Sequence, residues 1–417
     1  MSFQRFEFYP AINDSIRALG YERPTPIQDK AMPAVIHGRD VMGLAQTGTG
    51  KTAAFMLPIL DRLAKQPTKG RKIVRTLVIA PTRELAEQIN QSGRDLSRGT
   101  NIVGTTIYGG VGMQPQVNRL RRGVDVVTAC PGRLLDHLRQ GTVDLSRVET
   151  LVLDEADHMF DMGFLPDIRK ILAALPKKRQ TLLFSATMPE AIRALARDVL
   201  TDPVTVRIGH TAPADTVEHD AYPVYEHQKT PMLMALLEHA QTGSVLVFTR
   251  TKHRAKRLAQ QLEKAGHTAT SLQGNLSQNK RQAALDGFRK GRYRIMVATD
   301  IAARGIDISR VAHVINYDVP NTADAYTHRI GRTGRAERTG AAHSLITRED
   351  TGLVRAIERI MGSPLTRRTM DGFDYDTPAP KRSENDYDRR PQYRAKRPYG
   401  RTARPSGRRG NASAQAR

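Results

Sequence analysis

Ala45-Gln46-Thr47-Gly48-Thr49-Gly50-Lys51-Thr52 is the stretch that decides how this chain reads. It follows a strand at 40–44 and opens a helical pattern carrying Phe55, Leu57, Ile59, Leu60 and Leu63, with a bend expected at Pro58. A glycine-rich turn between a strand and a helix lets backbone amides wrap phosphate oxygens at the helix N-terminus. Gly48, Thr49 and Gly50 would form that cradle. Lys51 would reach the β- and γ-phosphates, and the Thr52 hydroxyl would ligate Mg²⁺. The general pattern begins with glycine, where this chain has Ala45. About a hundred residues further on, an apolar run ends in Asp154-Glu155-Ala156-Asp157, a separation typical of a phosphate-loop domain. Asp154 is placed for the metal, and Glu155 for the attacking water as general base. Together the two motifs imply hydrolysis of a nucleoside triphosphate.

The bulk properties say what else to expect. A chain of 417 residues accommodates two domains and a tail. Its formal charge of +23 and sequence pI near 10.4 point to a polyanionic partner, because like charges repel and serve stability poorly. Nucleic acid is favoured over a membrane, since no apolar run approaches the roughly 20 residues of a spanning helix. Residues 1–10 mix Arg5 and Glu7 with aromatics, unlike a signal peptide. The one cysteine, Cys130, excludes an internal disulfide and fits a reducing, cytoplasmic setting. With no tryptophan and 5% aromatic residues, broad base stacking is not the expected way of holding a strand.

Strand-like runs at 76–80, 125–129, 150–153 and 181–184 alternate with helical patterns such as 83–90. The alternation restarts at 244–248, with a helix to about 262 and strands at 294–299, 311–317 and 343–347. This predicts an α/β protein of two similar domains, each a mainly parallel sheet covered on both faces. The expected limits are 1–206 and 221–370, with a linker at 207–220 and a disordered, arginine-rich tail at 371–417. Only the first domain carries the phosphate loop.

Beyond these two motifs the chain holds a longer ordered series. Gly20-Tyr21-Glu22-Arg23-Pro24-Thr25-Pro26-Ile27-Gln28 precedes the loop, with Phe3 upstream. Pro81-Thr82-Arg83-Glu84-Leu85-Ala86, Gly109-Gly110, Pro131-Gly132-Arg133 and Ser185-Ala186-Thr187 follow in the first half. The second half has Val247-Phe248-Thr249-Arg250, Gln278 with Arg281, Ala298-Thr299-Asp300, Ala303-Arg304-Gly305-Ile306-Asp307 and His328-Arg329-Ile330-Gly331-Arg332-Thr333-Gly334-Arg335. The series resembles the DEAD-box RNA helicases of superfamily two over nearly all of 3–340, and most nearly the bacterial RhlE-type subgroup. The resemblance implies two tandem RecA-like domains and an RNA-stimulated ATPase that unwinds duplexes locally. It implies that Gln28 reads the adenine edge, with Phe3 beside the nucleotide and Asp307 near the ribose. Pro81, Thr82, Arg83, Gly109, Gly110, Pro131, Gly132, Arg133, Thr249, Arg250, Gln278, Arg281 and Thr299 would contact RNA. Ser185 and Thr187 would couple hydrolysis to strand separation, with His328 linking them to the motif that carries Arg332 and Arg335.

Arg332 and Arg335 sit three apart with a glycine between, so both could reach a γ-phosphate held by the other domain. Transition-state charge stabilised this way is worth on the order of 10³ to 10⁵ in rate. The site is therefore complete only when the domains close. Cys130 replaces the family's usual threonine, for which a modestly weaker RNA contact is expected. His158 takes a position usually held by a longer residue, and is expected to face solvent with no role. The tail, with tyrosines among arginines, is read as an RNA tether. A monomer is expected, with ribosomal or RNA-degradation machinery as partners. Two other functions remain open: a DNA translocase of the same superfamily, and an RNA chaperone with a vestigial ATPase.

Overall fold

Short aliphatic and β-branched runs become strands buried on both faces, as parallel sheets demand. The computed structural model describes residues 2–46, 48–208, 217–240, 243–303, 311–333 and 340–378. In the first lobe the strands are β1 (Val41–Leu44), β2 (Thr76–Ile79), β3 (Gly104–Ile107), β4 (Val126–Ala129), β5 (Thr150–Leu153), β6 (Gln180–Ser185) and β7 (Val204–Arg207). They pair in parallel in the order β3-β4-β2-β5-β6-β1-β7. Alternate side chains enter two cores. Val78, Val152, Leu182 and Phe184 pack with Phe55 and Met56 on one face, while Leu77, Leu151, Leu153 and Leu183 pack with Leu134 and Met159 on the other. Gly43 lies opposite Phe184, and a Cβ there would sit 2.4 Å from the ring, so the strand entering the phosphate loop needs glycine.

The second lobe repeats the topology. Its strands β8 (Val217–Pro223), β9 (Val245–Phe248), β10 (Ala269–Leu272), β11 (Ile295–Ala298), β12 (His313–Asn316), β13 (Gly340–Ile346) and β14 (Thr366–Arg367) run β10-β11-β9-β12-β13-β8-β14, the first lobe's order shifted by seven. The echo extends to capping. Thr82 Oγ1 accepts from Leu85 N at 3.3 Å to start the helix Arg83–Leu96, and Thr251 Oγ1 accepts from Arg254 N at 3.2 Å to start Lys252–Lys264. Parallel strands place functional loops together at their carboxyl ends.

The boundaries differ from the sequence expectation in two places. Arg207 closes β7 and Val217–Asp220 already pair with β13, so the connector begins after 207 and ends before 217. Its residues 209–216 lie outside the described residues. The expected tail begins later than 371, because Phe373 and Tyr375 pack against the second lobe's core and Gln228 Nε2 donates to the Tyr375 carbonyl at 2.6 Å. Met1–Tyr375 forms one compact unit, and 379–417 lie outside the described residues. Among the described residues, no helix is long and apolar enough to cross a membrane.

Candidate active site at the lobe interface

The phosphate loop leaves the carboxyl end of β1, tied to β6 by Ala45 N donating to the Ser185 carbonyl at 3.0 Å. Gly48 and Gly50 take φ of 84° and 93°, which side chains rarely adopt. A Cβ on Gly50 would lie 2.5 Å from Gln28 Nε2. Lys51 begins the helix Lys51–Lys65 and is buried, its Nζ donating to the Ala45 carbonyl at 3.0 Å. Gln28 is also buried: Oε1 accepts from Thr25 N at 2.9 Å and Nε2 donates to the Gly50 carbonyl at 3.1 Å. Here it braces the loop. Phe3 is buried against Phe6 and Tyr21, and Tyr21 lines the cleft.

The acidic box leaves β5 with Asp154 N donating to the Ile79 carbonyl at 3.0 Å. Asp154 and Glu155 are each 2% exposed, yet they are perturbed oppositely. Burial raises the Asp154 carboxyl, which Lys51 only partly offsets. Burial also pushes Glu155 upward, but His158, Lys51 and Arg332 outweigh it and hold the carboxyl well below its usual range. Asp154 is thus a buried carboxylate short of positive charge. With the Thr52 hydroxyl it offers the hard oxygen donors that magnesium takes. Asp157, absent from the sequence-derived site, accepts from Thr187 N at 2.8 Å and Thr187 Oγ1 at 3.0 Å, while Ser185 Oγ donates to the Thr187 carbonyl at 2.7 Å. It fastens Ser185-Ala186-Thr187 to the acidic box.

His158 overturns its expectation. It is 2% exposed, with Nδ1 2.8 Å from Glu155 Oε2 and Nε2 3.5 Å from Nδ1 of His328 in the second lobe. The first turn of the helix Ala156–Asp161 lies where the lobes meet, which solvent-facing periodicity cannot register. Arg332 is buried and acts electrostatically on Glu155. Arg329 is occupied structurally, chelating Asp300 at 2.6 and 2.7 Å and lying 4.9 Å above the Phe248 ring. Arg335 and Asp307 lie outside the described residues. The cleft, of about 940 Å³, is lined by Gln28, Lys51, Asp154 and Glu155 on one side and Gln278, Gln282 and Arg289 on the other.

The residues expected to contact RNA divide into two groups. Arg83 and Arg133 flank Gly109 and Gly110. Gly110 has φ of 78°, and a Cβ there would clash with the Arg83 guanidinium. Arg133 Nη1 donates to the Val111 carbonyl at 3.1 Å. Thr82 caps its helix, and Pro131 and Gly132 start the helix Pro131–Arg139 after Cys130. Cys130 is buried and its thiol is pushed up to about 12, chiefly by burial, so it is chemically inert. Arg250 is half exposed, whereas Thr249 is buried with its hydroxyl donating to the Thr251 carbonyl at 3.4 Å, shaping the loop that presents Arg250. Thr299 starts the helix Asp300–Ala303 through its carbonyl. Gln278 and Arg281 reach across to the first lobe. They bridge the lobes, Arg281 Nε meeting Glu84 Oε1 at 2.6 Å and Gln278 Nε2 meeting the same oxygen at 3.2 Å. Glu84 carries no local sequence signal for this role, because its partners Gln278 and Arg281 belong to the other lobe.

Two repeated parallel sheets, one phosphate loop and a cleft between them define a two-lobed RecA-like nucleotide-driven enzyme. Residues 25–195 match the DEAD/DEAH box helicase family and residues 228–337 the helicase conserved C-terminal domain. The chain is 42% identical over 357 residues to the ATP-dependent RNA helicase CshA of Listeria monocytogenes, covering 85% of this chain and 68% of that protein. It is 41% identical over 371 residues to the DEAD-box ATP-dependent RNA helicase CshA of Geobacillus kaustophilus, covering 89% and 78%. Dbp5 of S. cerevisiae bound to RNA and ADP BeF3 matches with a TM-score of 0.78 at 30% identity, over 89% of this chain and 96% of that one. The chain belongs to the DEAD/DEAH box helicase family and is an ATP-dependent RNA helicase.

Proposed function

We propose that ATP binds in the cleft with its phosphates on Gly48, Thr49, Gly50 and Lys51, and that Glu155 acts as the general base on the attacking water. Thr52 and Asp154 would hold Mg²⁺, which supplies charge neutralisation on the phosphates when bound. Arg332, with Arg335, stabilises the transition state from the second lobe. RNA lies along Arg83, Gly109, Gly110, Arg133 and Arg250, recognised through its backbone and without regard to sequence. ATP and RNA both favour closed lobes, so each tightens the other's binding. Hydrolysis reopens the cleft and releases the strand.

One observation supports this reading: Lys51, Asp154 and Glu155 of one lobe line a cleft with Gln278, Gln282 and Arg289 of the other, and Arg332 of the second lobe acts electrostatically on Glu155. The two RecA-like domains are the lobe ending with β7 at Arg207 and the lobe running from Val217 to Tyr375, joined by the segment between them. The same reading places the enzyme in the cytoplasm as a monomer, with ribosomal or RNA-degrading assemblies as partners. The test is a Glu155→Gln variant in a duplex-unwinding assay with ATP. Loss of multiple-turnover unwinding supports the reading, and unimpaired unwinding removes hydrolysis from it. Single-stranded DNA that stimulated turnover as well as RNA would remove the substrate assignment.

A further inference from the structure

Glu155 has φ 53° and ψ 53°, a left-handed conformation that a residue with a Cβ keeps only where its surroundings enforce it. It immediately precedes the helix Ala156–Asp161, so His158 returns to the same side one turn later. Both side chains are 3% exposed. A carboxylate only accepts, so His158 Nδ1, at 2.8 Å, carries the shared hydrogen. In the neutral ring Nε2 is then an acceptor, and it faces Nδ1 of His328 at 3.5 Å. The two imidazoles meet edge to face, with centroids 5.1 Å apart and planes at 88°. His328 lies in the last turn of the helix Ala323–Ile330, just ahead of Arg332.

We propose that His158 is a positioning residue for hydrolysis, orienting the Glu155 carboxylate and tying that orientation to the second lobe through His328. The inference rests on reading Glu155 as the general base. Glu155 and His158 come from the first lobe and His328 from the second, so the chain of contacts is complete only with the lobes together. With His328 withdrawn, the imidazole keeps one anchor and turns about its χ2, and the carboxylate loses its fixed aim. The same helix that delivers Arg332 thereby sets the base, so both halves of the catalytic apparatus engage in one movement.

The test is steady-state RNA-stimulated ATP hydrolysis by full-length Glu155→Gln, His158→Ala, His158→Asn, His328→Ala and the His158→Ala/His328→Ala double variant. His158→Ala is expected to lower kcat about tenfold while leaving the KM for ATP within about twofold. His158→Asn keeps a donor at the Nδ1 position and recovers about half of the loss. The double variant is no slower than the slower single variant, because the two rings act as one unit. The inference is overturned by a His158→Ala kcat within about twofold of the parent, by a change confined to KM, or by losses that multiply in the double variant. If His158→Ala does not fold, His158→Asn against His158→Gln decides: the glutamine amide matches Nε2 rather than Nδ1, and equal rates would sink the proposal. Normal turnover by Glu155→Gln is a separate result that removes the base itself.

Discussion

Each lobe opens a helix on the same dipeptide after its first strand: Lys51-Thr52 follows β1, and Lys229-Thr230 follows β8. In the first lobe the glycines at 48 and 50 curl the intervening backbone into a cradle, and Lys51 rests on the Ala45 carbonyl. In the second lobe the intervening residues are Val224-Tyr225-Glu226-His227-Gln228, with no glycine, and form a single tight turn over Glu226–Gln228. Lys229 there lies 3.3 Å from Asp318 and 3.0 Å from Glu226. Asp318 follows β12, the topological counterpart of the β5 that delivers Asp154. Both lobes therefore bring a lysine after the first strand and an aspartate after the fifth to one place. Burial pushes both carboxyls upward, but in Asp318 the Arg250 amide, Lys229 and Arg254 outweigh it, while in Asp154 it prevails. The second lobe has answered its own charge; the first leaves Asp154 under-compensated, as the proposed binding of a cation and phosphates there requires.

The sharpest way to break this comparison is to exchange the fates of the two lysines. Lys51→Ala should cut RNA-stimulated ATP turnover on the order of a thousandfold, as removal of a preorganised charge does, with the unfolding midpoint near that of the parent. Lys229→Ala should do the reverse, and a turnover loss as deep as that of Lys51→Ala would mean the second lysine also serves phosphate. Next in size, Asp318→Ala should destabilise the chain by about 3 kcal/mol in denaturant titration, because Lys229 and Arg254 lose a buried partner. Gly50→Ala should raise the KM for ATP about tenfold, since φ of 93° and the approach to Gln28 both oppose a side chain. The smallest effect concerns acid. Asp318 is held below the unfolded aspartate value of about 3.9, so its contribution is present above that pH and is lost as pH falls through the folded value. Asp318→Asn should therefore flatten the decline of stability below about pH 4, measured by thermal unfolding across pH.

How much of the molecule was legible follows from where each signal resides. The central strands announce themselves as apolar runs because both faces are covered, and Thr150–Leu153 agrees with its expectation residue for residue. The sheet margins do not. Gly104–Ile107 and Ala269–Leu272 carry glycine, threonine and serine in place of a continuous apolar run, and Ala269–Leu272 is only half covered. The phosphate loop and acidic box are local motifs, read from adjacent residues. Glu84, Asp157 and His158 escaped because each acts on a partner distant in sequence: Arg281, Thr187 and His328.

The order of residues alone determined the phosphate loop, the paired acids, the alternation of strand and helix and its restart, since backbone conformation and two-sided burial are imposed by neighbours along the chain. Only the folded chain decided which charges are spent internally and which remain for a ligand. That outcome depends on distances between segments remote from one another along the chain, and on the loss of water around them, neither of which any local pattern encodes. The same lysine-threonine pair thus ends on a loop carbonyl near an under-compensated acid in one lobe and as an internal ion pair in the other.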